Sequence, residues 1–94
     1  MQRHFYLIAY DIRQNARRLK VAKLLESAGN RVQDSVFEAH LSEPEREKLE
    51  KRAKKMIDMH EDSIRFYLIC QNCQKKVRII GQGNLTQAPE VIIL

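Results

Sequence analysis

An α+β fold, with helices gathered on one face of an antiparallel sheet, is what this sequence predicts. Two observations carry the prediction. Apolar runs of strand length alternate with stretches whose apolar residues fall at helical spacing, and turn-forming residues separate them at short intervals. A third observation bounds it: 94 residues make a single domain, 1–94, with no room for a second core.

Residues 3–11 read as the first strand; it is rich in Phe, Tyr, Leu and Ile and apolar on both faces, which suits a central position. Over 15–28, Val21, Leu24, Leu25 and Ala28 fall at helical spacing and Gly29-Asn30 supplies the stop. The opposite face of that helix carries Arg17, Lys20 and Lys23, with Arg18 close by. Residues 31–41, "RVQDSVFEAHL", place Phe37, Ala39 and Leu41 on one face and read as a second strand. Ser42-Glu43-Pro44-Glu45 is a helix start, with Ser as cap, Glu three residues on and Pro in the first turn. Leu49, Ala53, Met56, Ile57 and His60 then mark the apolar stripe of a second helix, His60 standing at its edge as a packing residue. "EDS" at 61–63 makes a turn, "IRFYLIC" at 64–70 is a strand with Ile64, Phe66, Leu68 and Cys70 on one face, and "KVRIIG" at 76–81 gives a further strand. The order is taken as βαββαβ, the ferredoxin-like arrangement of two helices over one face of a four-stranded antiparallel sheet. The tail, "PEVIIL" at 89–94, ends on four apolar residues and reads as an additional strand, paired with this chain's sheet or, preferably for so small a domain, packed on the partner subunit.

The net charge of +5 is unevenly placed. Residues 1–31 carry seven Lys/Arg against two acids, residues 32–64 six against nine, and residues 65–94 four against one. Basic ends around an acidic middle suit a nucleic-acid binder. No apolar run approaches the ~20 residues of a membrane span, and the N-terminus lacks the arrangement of a secretory signal. The expectation is a cytoplasmic protein with no membrane partner.

The two cysteines form one pair, Cys70-Gln71-Asn72-Cys73. A structural zinc site needs about four ligands, and no second pair or histidine cluster accompanies them. A thioredoxin-type motif opens a helix, whereas this one closes a strand. The expectation is a buried Cys70 and an incidental Cys73 in a turn.

No Ser-His-Asp set or glycine-rich phosphate loop is present, and most acids lie in 43–62 interleaved with Lys and Arg, the pattern of a solvated helix face. Asp11 differs. It ends an apolar strand, and Arg13, Arg17 and Arg18 follow within seven residues. Two readings stay open on spacing alone. Asp11 caps the following helix or turn or pairs with an arginine, which spacing favours; or it holds Mg²⁺ while the arginines neutralise a phosphate backbone. One carboxylate is a thin site, and two copies across a dimer axis would make a fuller one.

Taken together, "YLIAYDI" at 6–12, "RVQDSVFEAHL" at 31–41, "DSIRFYLIC" at 62–70 and the "KVRIIG" strand with its "PEVIIL" tail resemble the Cas-two family of small CRISPR-associated proteins. The resemblance covers nearly the whole chain. It implies a ferredoxin-like homodimer whose C-terminal strand packs on the partner's sheet. It also implies a Mg²⁺- or Mn²⁺-dependent endonuclease of single-stranded RNA or double-stranded DNA, and a partner of CRISPR integrase (Cas-one) dimers in spacer acquisition. The metal aspartate of the family matches Asp11, with Tyr10 before it as a catalytic neighbour. The nucleic-acid-binding positions match Arg18, Lys20 and Arg31, and Ser35 and Phe37 of "SVF"; Lys20 stands where some members carry arginine. A non-catalytic DNA-binding adaptor of the integration complex is the alternative, and a ferredoxin-like domain that binds only protein is a third.

Overall fold

The computed structural model describes residues 2–88. Within them the chain forms β1 (His4–Asp11), α1 (Asn15–Glu26), β2 (Asn30–Gln33), β3 (Val36–Leu41), α2 (Glu43–Lys54), β4 (Ser63–Ile69) and a single-turn helix α3 (Gln71–Gln74). The sheet runs β2-β3-β1-β4 with every neighbouring pair antiparallel. This is the ferredoxin-like βαββαβ order, with β1 central as its two-sided apolarity predicts.

The four strands are not the four read from the sequence. Residues 31–41 form a hairpin rather than one strand, because Asp34-Ser35 turns the chain between β2 and β3. Residues 76–81, expected as a strand, pair with no described strand. The elements as placed along the sequence run βαβαββ and so do not make the βαββαβ order assigned to them; the hairpin supplies it. The expected C-terminal strand at 91–94 lies outside the described residues.

The core fills the space between the helices and one sheet face. Tyr6, Ile8, Tyr10 and Ile12 from the first strand and its exit meet Phe37, Ala39 and Leu41 from β3, Val21, Ala22, Leu24 and Leu25 from α1, and Leu49 and Ala53 from α2. Strand alternation therefore sends Phe5, Leu7, Ala9 and Asp11 to the opposite, helix-free face. Part of that face is covered by the chain itself. Glu38, buried on β3, accepts from Thr86 N–H (3.0 Å) and Oγ1–H (2.8 Å), and His40 Nε2 lies 2.9 Å from the Thr86 carbonyl. The segment after α3 thus doubles back as a strap fastened to β3.

Both helices stop earlier than their apolar spacing suggests. The first ends at Glu26, with the Ala28 and Gly29 amides both donating to Leu25 O. The second begins as read, with a full capping box in which Ser42 Oγ accepts from Glu45 N–H and the Glu45 carboxylate accepts from Ser42 N–H. That carboxylate is also gripped by Arg3, and together these donors hold it down to about 2. Past Lys54 the chain leaves the helix, Met56 and Ile57 pack from a turn, and His60 is exposed rather than packed. Aspartates at 58 and 62 disfavour a helix C-terminus, where the macrodipole is negative, and Asp62 instead draws the chain into a loop. Strand β4 is also less buried than read: Ile64 and Phe66 pack on the core, but Leu68 is 53% exposed.

Gly29 is set by close approach. A Cβ there would stand 2.3 Å from Glu38 O and 2.7 Å from Ala39 Cβ, both in β3. Overpacking against backbone that cannot yield costs about 1–3 kcal/mol. Gly29→Ala should lower unfolding free energy by about 2 kcal/mol in urea titration; an unchanged midpoint would show that the α1–β2 connection shifts freely.

Candidate metal and nucleic-acid site

Asp11 is the last residue of the central strand and is exposed. None of the ion pairs among the described residues uses it. Neither the helix-cap nor the arginine-pair reading of Asp11 is therefore realised: the capping position of α1 is Gln14, which makes no side-chain cap. In register, Asp11 lies opposite Ser63 and Ala9 lies opposite Arg65, so Ser63, Arg65 and Asp11 share the helix-free face.

The backbone that follows Asp11 is pinned from two sides. The Arg18 guanidinium donates to the Ile12 carbonyl through Nε and Nη2, both at 3.1 Å, and to the Arg13 carbonyl at 3.1 Å. From the other side the Asp62 carboxylate, whose side chain is fully buried, accepts from Arg13 N–H at 3.0 Å and Arg17 Nε–H at 2.7 Å. It also accepts from Asp58 N–H at 2.9 Å, and Glu61 takes the outer Arg17 nitrogen at 3.2 Å. The Arg17 guanidinium, with these amides, holds the Asp62 carboxyl well below the ordinary 3.8 despite its burial. Asp62 is thus an exception to the solvated-acid reading of residues 43–62. Only its place in the turn before a strand distinguishes it in the sequence.

Several residues expected at a binding surface are placed elsewhere. Tyr10, expected as a catalytic neighbour of Asp11, points to the opposite face, is buried, and donates its hydroxyl to Asp34 O at 3.0 Å. Its amide donates to Ser35 O at 3.0 Å, so Tyr10 is a strut that fixes the β2–β3 turn. Phe37, expected as a nucleic-acid contact, is fully buried between Tyr10 (centroids 6.2 Å apart) and the Arg31 guanidinium, which lies 5.3 Å from its ring centre. Arg31 also reaches Glu26 at 3.4 Å. Ser35 is half-buried in the hairpin turn. Arg17 and Arg18 spend their donors on the chain, whereas the Arg13 and Lys20 side chains are exposed and absent from the ion pairs among the described residues. Arg65, not singled out from the sequence, stands one register step from Asp11 and donates to Tyr67 Oη at 3.2 Å.

Among the described residues no group of three or more His, Cys, Asp or Glu side chains converges. A hard cation that keeps most of its waters fits a lone exposed carboxylate, and Asp11 meets that condition as half of a site. Among the described residues, the groove lined by Ala53, Ile57, Met59, Ile64 and Phe66, about 470 Å³, lies on the helical side and does not include Asp11.

Fold and site together define a small basic ferredoxin-like domain that presents a strand-end carboxylate on its open sheet face. The model of the family described as "CRISPR associated protein Cas2" matches residues 4–77, and the chain belongs to that family. A protein of Chloroflexus aurantiacus named CRISPR-associated endoribonuclease Cas2 1 is 46% identical over 80 residues, 84% of this chain and 86% of that one. The crystal structure of a hypothetical protein, TT1823, from Thermus thermophilus superposes with a TM-score of 0.79 at 40% identity, covering 90% of this chain and 99% of that one. A chain of a partial Cas6-RT-Cas1–Cas2 complex superposes with a TM-score of 0.73 at 36% identity, covering 82% and 90%. No helix among the described residues is long and apolar enough to cross a membrane.

The Asp62 network sets an acid limit. A carboxylate held below its ordinary value in the fold stabilises above that value and loses the contribution as pH falls through the folded value. Unmodified protein should lose thermal stability steeply between about pH 5 and pH 2. Asp62→Asn should lower the neutral-pH midpoint more than Glu61→Gln does and flatten that acid limb. An acid limb as steep as before would assign it to other carboxylates.

Proposed function

We propose that this protein is a homodimeric, Mg²⁺- or Mn²⁺-dependent endonuclease of RNA or DNA that also serves CRISPR spacer acquisition beside an integrase. The observation that carries the reading is the exposed Asp11 carboxylate at the end of the central strand, in a family whose relatives are named endoribonucleases. One chain offers a single carboxylate oxygen set; two copies meeting through their open faces would offer two. When bound, the cation supplies positive charge to a phosphodiester and acidifies a water. Asp11 would hold it, Asp62 and Arg18 keep the Asp11 exit rigid, and Arg13, Lys20 and Arg65 are placed to neutralise phosphates.

Asp11→Asn should lower metal-dependent cleavage by about 100-fold or more while the unfolding midpoint holds. Titration with Mn²⁺ should find one site per two chains, lost in the variant. Equal cleavage by both proteins would sink the catalytic assignment.

A second reading, a non-catalytic DNA-binding adaptor of the integration complex, is favoured by the likeness to a chain of a Cas1–Cas2 assembly. It expects Asp11→Asn to support spacer integration undiminished, whereas the nuclease reading expects loss only if cleavage is required. Either reading places nucleic-acid contact on the free cations. Arg13→Gln and Lys20→Gln should each reduce the salt slope of binding by about one unit. Arg17→Gln should act through stability instead; a pure slope change in Arg17→Gln would contradict the placement.

A further inference from the structure

Cys70 and Cys73 take no part in the site above, and the expected burial of Cys70 is overturned. Neither is buried: both are free thiols and exposed. They lie at the corner where β4 ends and the chain turns toward the strap that reaches Thr86. The corner is held by Gln74 N–H to Cys70 O at 2.9 Å, Lys75 N–H to Gln71 O at 3.3 Å, and the Gln74 side-chain amide to Ile69 O at 3.0 Å. Inside it the Cys73 amide donates to Cys70 Sγ at 3.4 Å.

Cysteines three residues apart in one helical turn have Cα atoms about 5–6 Å apart, within the span of a disulfide. The corner therefore accommodates a closed pair without a change of backbone path. The two thiols are not equivalent. The Cys73 amide N–H, with the Cys73 thiol beside it, favours the Cys70 thiolate and pulls it below the ordinary 9.0, while Cys73 is pushed up by the neighbouring Cys70.

We propose that Cys70 and Cys73 form a redox-active dithiol, Cys70 attacking and Cys73 resolving, whose oxidant is a low-molecular-weight disulfide. The Cys70 thiolate attacks one sulfur of the small disulfide, whose S–S bond breaks; the departing thiolate takes up a proton and leaves a mixed disulfide on Cys70. Cys73 then gives its proton to solvent and attacks Cys70 Sγ, and the second small thiolate departs and is protonated. The protein loses two electrons and two protons, and the small disulfide becomes two thiols. In a reducing compartment the pair rests as the dithiol and closes as the thiol pool is oxidised. Closure ties off the corner that aims the strap at Glu38 and His40.

The test exposes the full chain to oxidised glutathione, quenches with acid, alkylates and reads intact mass. Unmodified protein should lose two hydrogens, carry no alkyl group on either cysteine and recover both thiols with a dithiol reductant. Cys73→Ser should trap one glutathione on Cys70, and Cys70→Ser should react at least ~10-fold more slowly, since attack follows the thiolate fraction. Both side chains are exposed, so circular dichroism should show the fold kept in each variant. The proposal is overturned if the unmodified protein stays a dithiol while thioredoxin in the same buffer is oxidised. It is equally overturned by a persistent glutathione adduct that never closes, by disulfides that link separate copies, or by equal trapping in the two variants.

Discussion

A buried carboxylate organises the functional end of this molecule. Asp62 sits immediately before β4 with its side chain out of solvent, and an unpartnered charge there would be strongly unfavourable. Four donors answer it, from three places in the chain: the Arg17 guanidinium on α1, the Arg13 amide just past β1, and the Asp58 amide in the loop after α2. Because the acceptor cannot swing into water, these segments move together or not at all. The exit of the central strand is thereby fixed through the Arg13 amide, and Arg18 fixes the carbonyls of Ile12 and Arg13. Asp11, immediately before that exit, inherits a rigid backbone while its own carboxylate stays free at the surface.

Strand alternation divides the labour between adjacent residues. Tyr10 and Asp11 are neighbours in sequence and opposites in space, so the aromatic serves the core and the acid serves the surface. The Tyr10 hydroxyl and amide catch the Asp34 and Ser35 carbonyls, which makes the hairpin turn part of the same framework. Phe37 packs beneath, with the Arg31 guanidinium over its ring. Residues that resemble a binding surface when read along the chain are here the underside of one.

How much of this was legible follows from the range of each interaction. The central strand, the capping box at Ser42 and the stripe through Val21, Leu24 and Leu25 are local patterns, and they stand as read. The hairpin inside "RVQDSVFEAHL" was hidden because the alternation of Phe37, Ala39 and Leu41 continues plausibly through a two-residue turn; Asp34-Ser35 was the available cue. The early end of α2 depends on Asp62 capturing an amide at Asp58, within a loop whose residues also satisfy apolar helical spacing. The acidic partners of Arg17 are more than forty residues away, so no spacing rule near Asp11 discloses that this arginine is already engaged. The exposed Cys70 was misread for a related reason: Leu68 lies opposite Tyr6 on the core face of β4, but at this far end of the strand that face is left open, with Leu68 53% exposed.

A lone carboxylate on an open face has a consequence for how chemistry can be controlled. A cation that keeps several waters is weakly held by one Asp, and adding a second oxygen donor set strengthens both the charge match and the geometry. If the second set comes from another copy of the chain, the metal site exists only in the assembled protein, and free chains carry no cleavage activity to misdirect. The strap is placed to matter in that assembly, since Thr86 is fastened to Glu38 and His40 on the same face that bears Asp11. Its fastening sets where the chain beyond it is delivered. The corner that launches the strap holds the two exposed thiols, so a covalent tie at 70–73 and the geometry of the open face are mechanically connected through about a dozen residues of backbone. Asp62 fixes one end of the face and the strap covers part of the other, which leaves the row of Asp11, Ser63 and Arg65 as its accessible polar edge.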